Sequence, residues 1–168
     1  MATDIGVGEK KDAASPAEAP LYELIELLFF AYRDFVGDAD RLLEAYNFGR
    51  AHHRVLHFVS RRPGLTIAEL LEILRITKQS LNRVLRELVG KGFIEAREGS
   101  LDRRHRQLYA TADGERLARR LALVQTRRIS AAAEALGPHG REIAARFLAA
   151  MIDRAPEALG PPAIGLDG

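Results

Sequence analysis

The sequence predicts a mainly α-helical fold with a small β wing, an α+β arrangement. Two observations support this prediction. Between Thr66 and Thr111, two short amphipathic helical patterns flank a tight turn, and two strand patterns joined by an arginine-rich loop follow. The segments on either side carry apolar residues at helical spacing, in excess of what a small lobe can bury. The expected architecture is a winged helix-turn-helix lobe with a helical dimerisation region.

Apolar content divides the 168 residues into five expected segments. Residues 1–19 are rich in Ala, Pro and charged residues and are expected to form a disordered tail. N-terminal dimerisation helices follow over residues 20–49, and the winged helix-turn-helix lobe covers residues 50–111. C-terminal dimerisation helices cover residues 112–155, and the Pro- and Gly-rich residues 156–168 are expected to form a flexible tail.

The first helix is predicted to begin at Leu21, because apolar residues follow at helical spacing as far as Phe35. Its apolar surface is wider than one stripe, which indicates burial against more than one partner. Burial in the chain's own core and burial at a dimer interface both explain this width, and the apolar C-terminal helices favour the dimer. We expect the helix to break or kink over residues 37–40, with a further turn or two over residues 41–46.

A second helix is expected over residues 50–60, supporting the following helices from behind. It holds His52, His53 and His57, and the last two share one face at a spacing that can chelate a metal. A closed zinc site needs four ligands, and no cysteine or acidic residue lies nearby in sequence. A core or pocket-lining role is therefore favoured, and no metal is expected. Because histidine titrates near neutrality, these side chains can tune ligand binding with pH.

The helix-turn-helix is predicted to begin at Thr66, which forms a capping box with Glu69. The turn is expected at residues 75–76, and Thr77 is expected to cap the second helix. The apolar face of the first helix is expected to contain Ile67, Leu70, Leu71 and Leu74. The apolar face of the second is expected to contain Leu81, Val84, Leu85 and Leu88. The opposite face of this second helix is therefore free.

The free face carries only basic and neutral polar side chains before Glu87. Arg and Lys reach guanine, Asn and Gln reach adenine, and Ser reaches either base. In a helix-turn-helix, residues near the start of the second helix meet the bases. The residues of this helix and its cap that are expected to contact DNA are Thr77, Lys78, Gln79, Ser80, Asn82, Arg83 and Arg86.

The wing is predicted as two strands, residues 93–97 and 107–110, joined by an arginine-rich loop. An arginine at the tip of such a loop can enter the narrow minor groove, where the negative potential is strongest. Asp102 is repelled by phosphate, so we expect it to orient a neighbouring arginine by a charge-assisted hydrogen bond. The wing residues expected to contact DNA are Arg103, Arg104 and Arg106.

Thr111 is predicted to cap a long helix that reaches about Leu136, with acidic residues in its first turn, where the helix dipole favours them. Gly137 and Pro138 are expected to end that helix. A final amphipathic helix is expected to carry Ile143, Ala144, Phe147, Leu148, Met151 and Ile152 on its apolar side. Pairing of these helices with the first across a two-fold axis would place two recognition helices about one DNA turn apart.

The net charge of +2 conceals a strong asymmetry along the chain. Residues 50–128 contain 18 Lys and Arg against 8 Asp and Glu, whereas both flanking regions are net acidic. The basic region coincides with the winged helix-turn-helix segment. It supplies an attraction to phosphate that is independent of base sequence and weakens with salt.

Several protein classes are not expected from this sequence. It has no cysteine, no apolar run of a membrane-span length and no signal-peptide pattern, so we expect a cytoplasmic protein without disulfides or membrane contact. A Gly-x-Ser-x-Gly elbow, a phosphate loop and a metal-ligand cluster are all absent from the sequence. Neither an enzyme nor a cofactor is therefore expected.

Four stretches carry a resemblance to a known family. They are residues 75–83, Leu88–Ile94, Asp102–Arg104 and residues 108–114. Together they resemble the MarR family of bacterial transcriptional regulators, and within it the PetP-like alphaproteobacterial branch. The most specific mark is an Asp-x-Arg wing followed by a strand and a Thr-x-x-Gly helix start. The resemblance covers the greater part of the chain, and the flanking helices match only by pattern.

The resemblance implies a homodimer that binds a pseudo-palindromic operator and is often released by a small-molecule effector. It also implies a ligand pocket where the dimer helices meet the DNA-binding lobe. By that resemblance, the candidate lining residues are Tyr32, His53, His57 and Phe58.

The expected function is that of a sequence-specific transcriptional regulator whose partners are double-stranded DNA, a second copy of the chain and a small-molecule effector. A repressor is favoured because blocking a promoter requires only occupancy. The alternative is a winged helix used for protein interaction or RNA binding. A protein-interaction module would show an apolar or acidic recognition helix, unlike the face described above. RNA binding is poorly distinguished by sequence, and competition between duplex DNA and structured RNA would decide.

Overall fold

The computed structural model describes residues 19–98 and 106–153 of the chain, and these contain six helices and three strands. The helices are α1 (Tyr22–Glu44), α2 (Arg50–Arg61), α3 (Ile67–Leu74), α4 (Lys78–Gly90), α5 (Ala112–Glu134) and α6 (Gly140–Ala150). The strands are β1 (Leu65–Thr66), β2 (Ile94–Glu98) and β3 (Arg106–Ala110). The predicted fold class, mainly helical with a small β wing, is confirmed.

By its internal contacts the chain divides into two units between Arg33 and Asp34. The described part of the first unit, residues 19–33, is mainly the first half of α1. Its large apolar side chains are exposed, namely Leu21, Tyr22, Leu24, Ile25, Leu27, Leu28, Phe29, Phe30 and Tyr32. The second unit contains the rest of α1 and every other described element. Across the described residues of both units, no helix combines the length and apolarity needed to cross a membrane.

Helix α1 continues without interruption through Gly37, so the break expected over residues 37–40 is wrong. A glycine inside a helix costs up to about 1 kcal/mol relative to alanine. Burial of Val36, Ala39 and Leu43 along the same stretch more than offsets that cost. The chain turns after Glu44, where Asn47 adopts a left-handed conformation with φ of 53°.

The wing sheet has three strands rather than the two predicted, in the order β1-β3-β2, all antiparallel. Leu65 of β1 pairs with Leu108 of β3, and Ile94 of β2 pairs with Ala110. The additional strand β1 is two residues long, too short to show the alternation by which strands are predicted. It ties the start of α3 to the base of the wing.

One hydrophobic core in the second unit joins the end of α1 to α2, α3, α4, α5 and the sheet. Its largest fully buried side chains include Leu43, Leu56, Leu70, Leu81, Leu88, Ile94, Leu108, Leu117 and Leu121. The apolar stripe predicted for α4 is buried as a whole, which fixes the opposite face of that helix outward. In α3, Ile73 is also buried although the predicted stripe omitted it.

Candidate nucleic-acid interface

The turn before α4 is built from a left-handed residue and a side-chain cap. Arg75 has φ of 49°, and its N–H donates to the carbonyl of Leu71 at 2.9 Å. The Thr77 hydroxyl accepts from the Ser80 N–H at 3.1 Å and donates to Ser80 Oγ at 3.0 Å. The predicted cap is confirmed. The Thr77 hydroxyl is thereby engaged within the helix start.

Helix α2 braces this turn from behind. The Arg54 guanidinium donates to the carbonyl of Leu74 at 3.2 Å, satisfying a carbonyl at the end of α3 that the helix itself leaves unpaired. Ile76 in the turn packs against the core. The end of α3 and the turn itself are therefore anchored to α2 and to the core.

The outward side of α4, here called the recognition face, combines three cations with three neutral polar groups. Its members are Lys78, Gln79, Ser80, Asn82, Arg83 and Arg86; all are exposed except Ser80, which is half-buried. Glu87 is the single acidic residue of α4, and its carboxylate is engaged by a side chain of α2. The face therefore presents donors and positive charge to any bound partner.

A groove of about 820 Å³ lies between α4 and the wing sheet. From the wing side it is lined by Ala96, Arg106 and Leu108, and Ile67 of α3 also contributes. From α4 it is lined by Lys78, Gln79, Asn82, Leu85, Arg86, Val89 and Gly90. The structure thus brings Arg106 together with part of the recognition face, whereas Thr77, Ser80 and Arg83 do not line this groove.

The tip of the wing, which includes Asp102, Arg103 and Arg104, lies outside the described residues. The base of the wing is held by Tyr109, a residue that sequence patterns did not single out. The Arg97 guanidinium carbon lies 4.3 Å from the centre of the Tyr109 ring, and the tyrosine hydroxyl donates to Gln107 at 3.2 Å. These contacts stiffen the base of the wing, next to the groove.

Three further contacts at the C-terminal end of α4 were also missed by sequence reasoning. His52 of α2 and Glu87 of α4 are joined by a 2.8 Å hydrogen bond between Nε2 and Oε2. Lys91 donates to the Tyr46 carbonyl at 2.6 Å and lies 4.6 Å from the centre of the Phe48 ring. Partners 35 and 45 residues apart leave no periodic signal in the sequence, so only the fold reveals them.

The ligand-pocket candidates occupy different places. His53 and His57 are half-buried on α2, and burial lowers the pKa of both imidazoles below the usual value; Arg61 and Arg62 lower the pKa of His57 further. Phe58 packs partly on the core, edge-on to His57. Tyr32 belongs to the first unit and is exposed.

A second groove, of about 390 Å³, separates α2 from α5 and contains His57. Arg61, Arg116 and Arg119 give it a positive rim. Its one carboxylate, Glu115, accepts from the Ser60 hydroxyl at 2.7 Å. Within residues 19–98 and 106–153, no cluster of three or more His, Cys, Asp or Glu side chains is placed to hold a metal ion.

Comparison with known proteins links this geometry to one family. A family model described as MarR family matches residues 46–105. The HTH-type transcriptional regulator PetP of Rhodobacter capsulatus is 48% identical over 131 residues, covering 78% of this chain and 79% of that protein. The crystal structure of MarR superposes with a TM-score of 0.61 at 25% identity, covering 82% of this chain and 92% of that one.

A Listeria monocytogenes protein, described as a MarR family transcriptional regulator complexed with 26mer DNA, shares the fold. It superposes with a TM-score of 0.65 at 14% identity, covering 78% of this chain and 85% of that one.

Proposed function

The chain belongs to the MarR family of DNA-binding transcriptional regulators, which are not enzymes, and on that premise we propose that it is a homodimeric repressor of a pseudo-palindromic operator. In this proposal α4 enters the major groove and the wing follows the adjacent minor groove. The base-reading and backbone contacts come from the recognition face and Thr77, with Arg103, Arg104 and Arg106 acting from the wing and Asp102 orienting one of them.

The observation that carries the proposal is the outward exposure of five polar or cationic side chains on α4, next to a groove shared with Arg106. A face that serves only as solvated surface usually mixes charges of both signs, whereas α4 holds three cations and keeps its single carboxylate in contact with α2. The solved Listeria complex gives a precedent for DNA binding by this fold.

The dimer is supported by apolar surface that has no function in a monomer. From the end of α5 through α6 and the two residues that follow it, large apolar residues are more than half exposed, namely Ile129, Leu136, Ile143, Phe147, Leu148, Met151 and Ile152. The first half of α1 exposes a further set in its own unit. Large apolar residues exposed in such numbers are typical of an oligomer interface. We assign residues 20–49 and 112–155 to that interface.

Release by a small-molecule effector completes the proposal. The groove between α2 and α5 has three arginines and one carboxylate on its rim, and His57 with its lowered pKa lies inside. That charge balance suits a small organic anion. Of the four ligand-pocket candidates, His57 lines this groove. Tyr32, His53 and Phe58 are kept as candidates by the resemblance to the family alone. Loss of operator binding on addition of small carboxylates, measured by fluorescence anisotropy, is the expected result.

The experiment that tests the proposal is selection of bound duplexes from a random DNA pool by the purified full chain at moderate salt. An inverted repeat with half-sites about ten base pairs apart is the expected product. Structured RNA added as competitor at the same salt should not displace the selected duplex. Recovery of no enriched sequence, or displacement by RNA, would contradict sequence-specific binding to duplex DNA.

A further inference from the structure

We propose that His52 is a positioning residue for DNA recognition: it restrains the Glu87 carboxylate and so keeps Arg83 available to DNA. This inference rests on the proposed function, because it takes α4 to be the helix that contacts DNA. Nothing in the MarR-like sequence pattern assigns a role to either residue.

Glu87 is one helical turn after Arg83 on the same side of α4, since the two residues are four positions apart. A carboxylate and a guanidinium at that spacing attract each other on an exposed helix, more weakly when the base precedes the acid, as here. Such a pair would place a negative charge beside a side chain proposed to meet bases, and it would compete for the same N–H donors. An unrestrained Glu87 is therefore an internal competitor of DNA.

In the structure the Glu87 carboxylate contacts His52 of α2 rather than Arg83. Its Oε2 lies 2.8 Å from His52 Nε2, and the His52 and Glu87 side chains are 13% and 42% exposed. Among the residues the structure describes, Arg83 forms no ion pair with a carboxylate, and its side chain is exposed. The His52 contact therefore leaves the guanidinium of Arg83 free for an external acceptor.

Three contacts hold the His52 imidazole that binds Glu87. Its Nδ1 accepts from the Gly49 N–H at 3.1 Å, so in the neutral ring the proton resides on Nε2, which donates to Glu87. The Phe48 ring stacks on it at a centroid distance of 4.6 Å and an interplanar angle of 16°. Gly49 precedes α2 as its N-cap, so the start of α2 orients the imidazole toward α4.

Two substitutions separate these roles. In His52→Asn the side-chain oxygen can replace Nδ1 and still accept from Gly49, but the amide is too short to reach Glu87. In His52→Gln the amide reaches the position of Nε2 and can donate to Glu87. His52→Asn is therefore expected to weaken binding to the duplex selected from the random pool by about tenfold, the size of losing one good base contact. His52→Gln is expected to stay within about twofold of the wild type, since the charge-assisted donor is retained.

The decisive readout is rescue by Glu87→Gln. Added to His52→Asn, this change removes the freed carboxylate and is expected to restore most of the lost affinity, as a double-mutant cycle. Glu87→Gln alone measures the effect of removing an acid near DNA. A purely structural loss at position 52 would not be repaired by a change at position 87. Thermal melting of each variant shows that it is folded, and His52→Leu replaces His52→Asn if the latter is not.

The outcomes separate the two proposals. Unchanged affinity in His52→Asn, or a loss that Glu87→Gln does not repair, overturns the role of His52. Arg83→Ala is measured in parallel, and its loss of binding shows that α4 contacts DNA even when the His52 inference fails. A wild-type protein that binds neither the selected duplex nor a random duplex of equal length overturns the proposed function, and the inference with it.

Discussion

At the scale of single residues, Arg83 is the side chain on which specific binding is expected to depend most. It is exposed on α4, outside the groove shared with the wing, so it is not screened by neighbouring elements. Its guanidinium fork suits two acceptors on one guanine, whereas a lysine offers only a point charge. The two side chains therefore differ in the information they can read rather than in net charge.

Arg83→Ala is expected to reduce affinity for the selected operator by roughly tenfold or more, because a bidentate base contact is worth about 1–3 kcal/mol. Arg83→Lys keeps the charge and is expected to retain binding to a random duplex while losing discrimination. Dissociation constants for the selected operator and for a random duplex, measured at one salt concentration, give the ratio of specific to non-specific affinity. If both variants preserve the wild-type ratio, Arg83 does not read bases.

Gly114 is a second residue with a definite requirement, in the first turn of α5. A Cβ added there would lie 2.0 Å from the Phe93 carbonyl oxygen, which itself accepts from the Thr111 N–H at 3.0 Å. Neither backbone segment can move freely, because the Thr111 hydroxyl also caps α5 through the Gly114 N–H at 3.1 Å. The third residue after the helix cap is therefore a glycine for steric reasons.

Gly114→Ala is expected to lower the free energy of unfolding by roughly 2 kcal/mol or more, as overpacking against backbone does. Gly90→Ala is the matched control, since a Cβ there meets nothing within 4 Å and the residue ends α4. It is expected to be neutral or slightly stabilising. Urea denaturation of both variants gives the comparison, and equal stabilities would show that the wing and α5 separate easily at Phe93.

At the scale of elements, α2 organises the lobe more than its place in the sequence suggests. It contacts the end of α3 through Arg54, contacts Glu87 of α4 through His52, and borders α5 at the groove that contains His57. Helix α2 also contains the half-buried His53 and His57. A change of charge on α2 is therefore expected to affect both stability and the position of α4.

The stability of the lobe is expected to fall at mildly acidic pH because of His53 and His57. Burial lowers the pKa of both in the folded state below the value of about 6.5 that applies when unfolded. At a pH between the folded-state and unfolded-state pKa of each histidine, the folded chain binds fewer protons than the unfolded chain. The contribution of the two neutral histidines to the free energy of unfolding is therefore complete above about pH 6.5 and is lost as the pH falls toward their folded-state pKa. The double variant His53→Gln, His57→Gln should show a flatter dependence of unfolding free energy on pH. Parallel curves for wild type and variant would contradict this assignment.

At the scale of the whole molecule, charge and apolar surface are segregated along the chain. Residues 50–128 carry a large excess of basic side chains, and most of the exposed large apolar residues of the second unit lie between Leu123 and Ile152. A basic middle segment and apolar terminal helices are expected of the dimeric DNA-binding protein proposed above. Affinity for any duplex is consequently expected to fall steeply with salt.

Leu148→Glu is expected to convert the proposed dimer to a monomer. Its side chain is 55% exposed in the single chain, so the carboxylate is tolerated there, but it would be buried unpaired in an interface built on α6. Val89→Glu, the same kind of change at a 43% exposed position on α4, should leave the dimer intact. Sedimentation equilibrium measures the mass of each variant. A wild-type mass of one chain, or a Leu148→Glu mass of two, would argue against this interface.

Local chemistry accounts for most of what could be predicted. The caps at Thr66, Thr77 and Thr111 are seen as expected, each accepting from the N–H three residues on. They are predictable because a cap needs one side chain and a backbone within three residues. The buried stripe of α4 follows from the period of the helix in the same way.

Properties that depend on distant residues could not be predicted. Helix α1 continues through Gly37 because Ala39 and Leu43 are buried in the hydrophobic core. Helix propensity, which disfavours glycine, does not predict that burial. Strand β1 exists because β3 offers it a partner more than 40 residues later. In the candidate nucleic-acid interface, the amino-acid sequence alone determined which side chains α4 exposes and the excess of positive charge around them. Tertiary structure decided that Arg106 shares a groove with α4 and that His52 engages Glu87, because contacts between residues far apart depend on how helices pack.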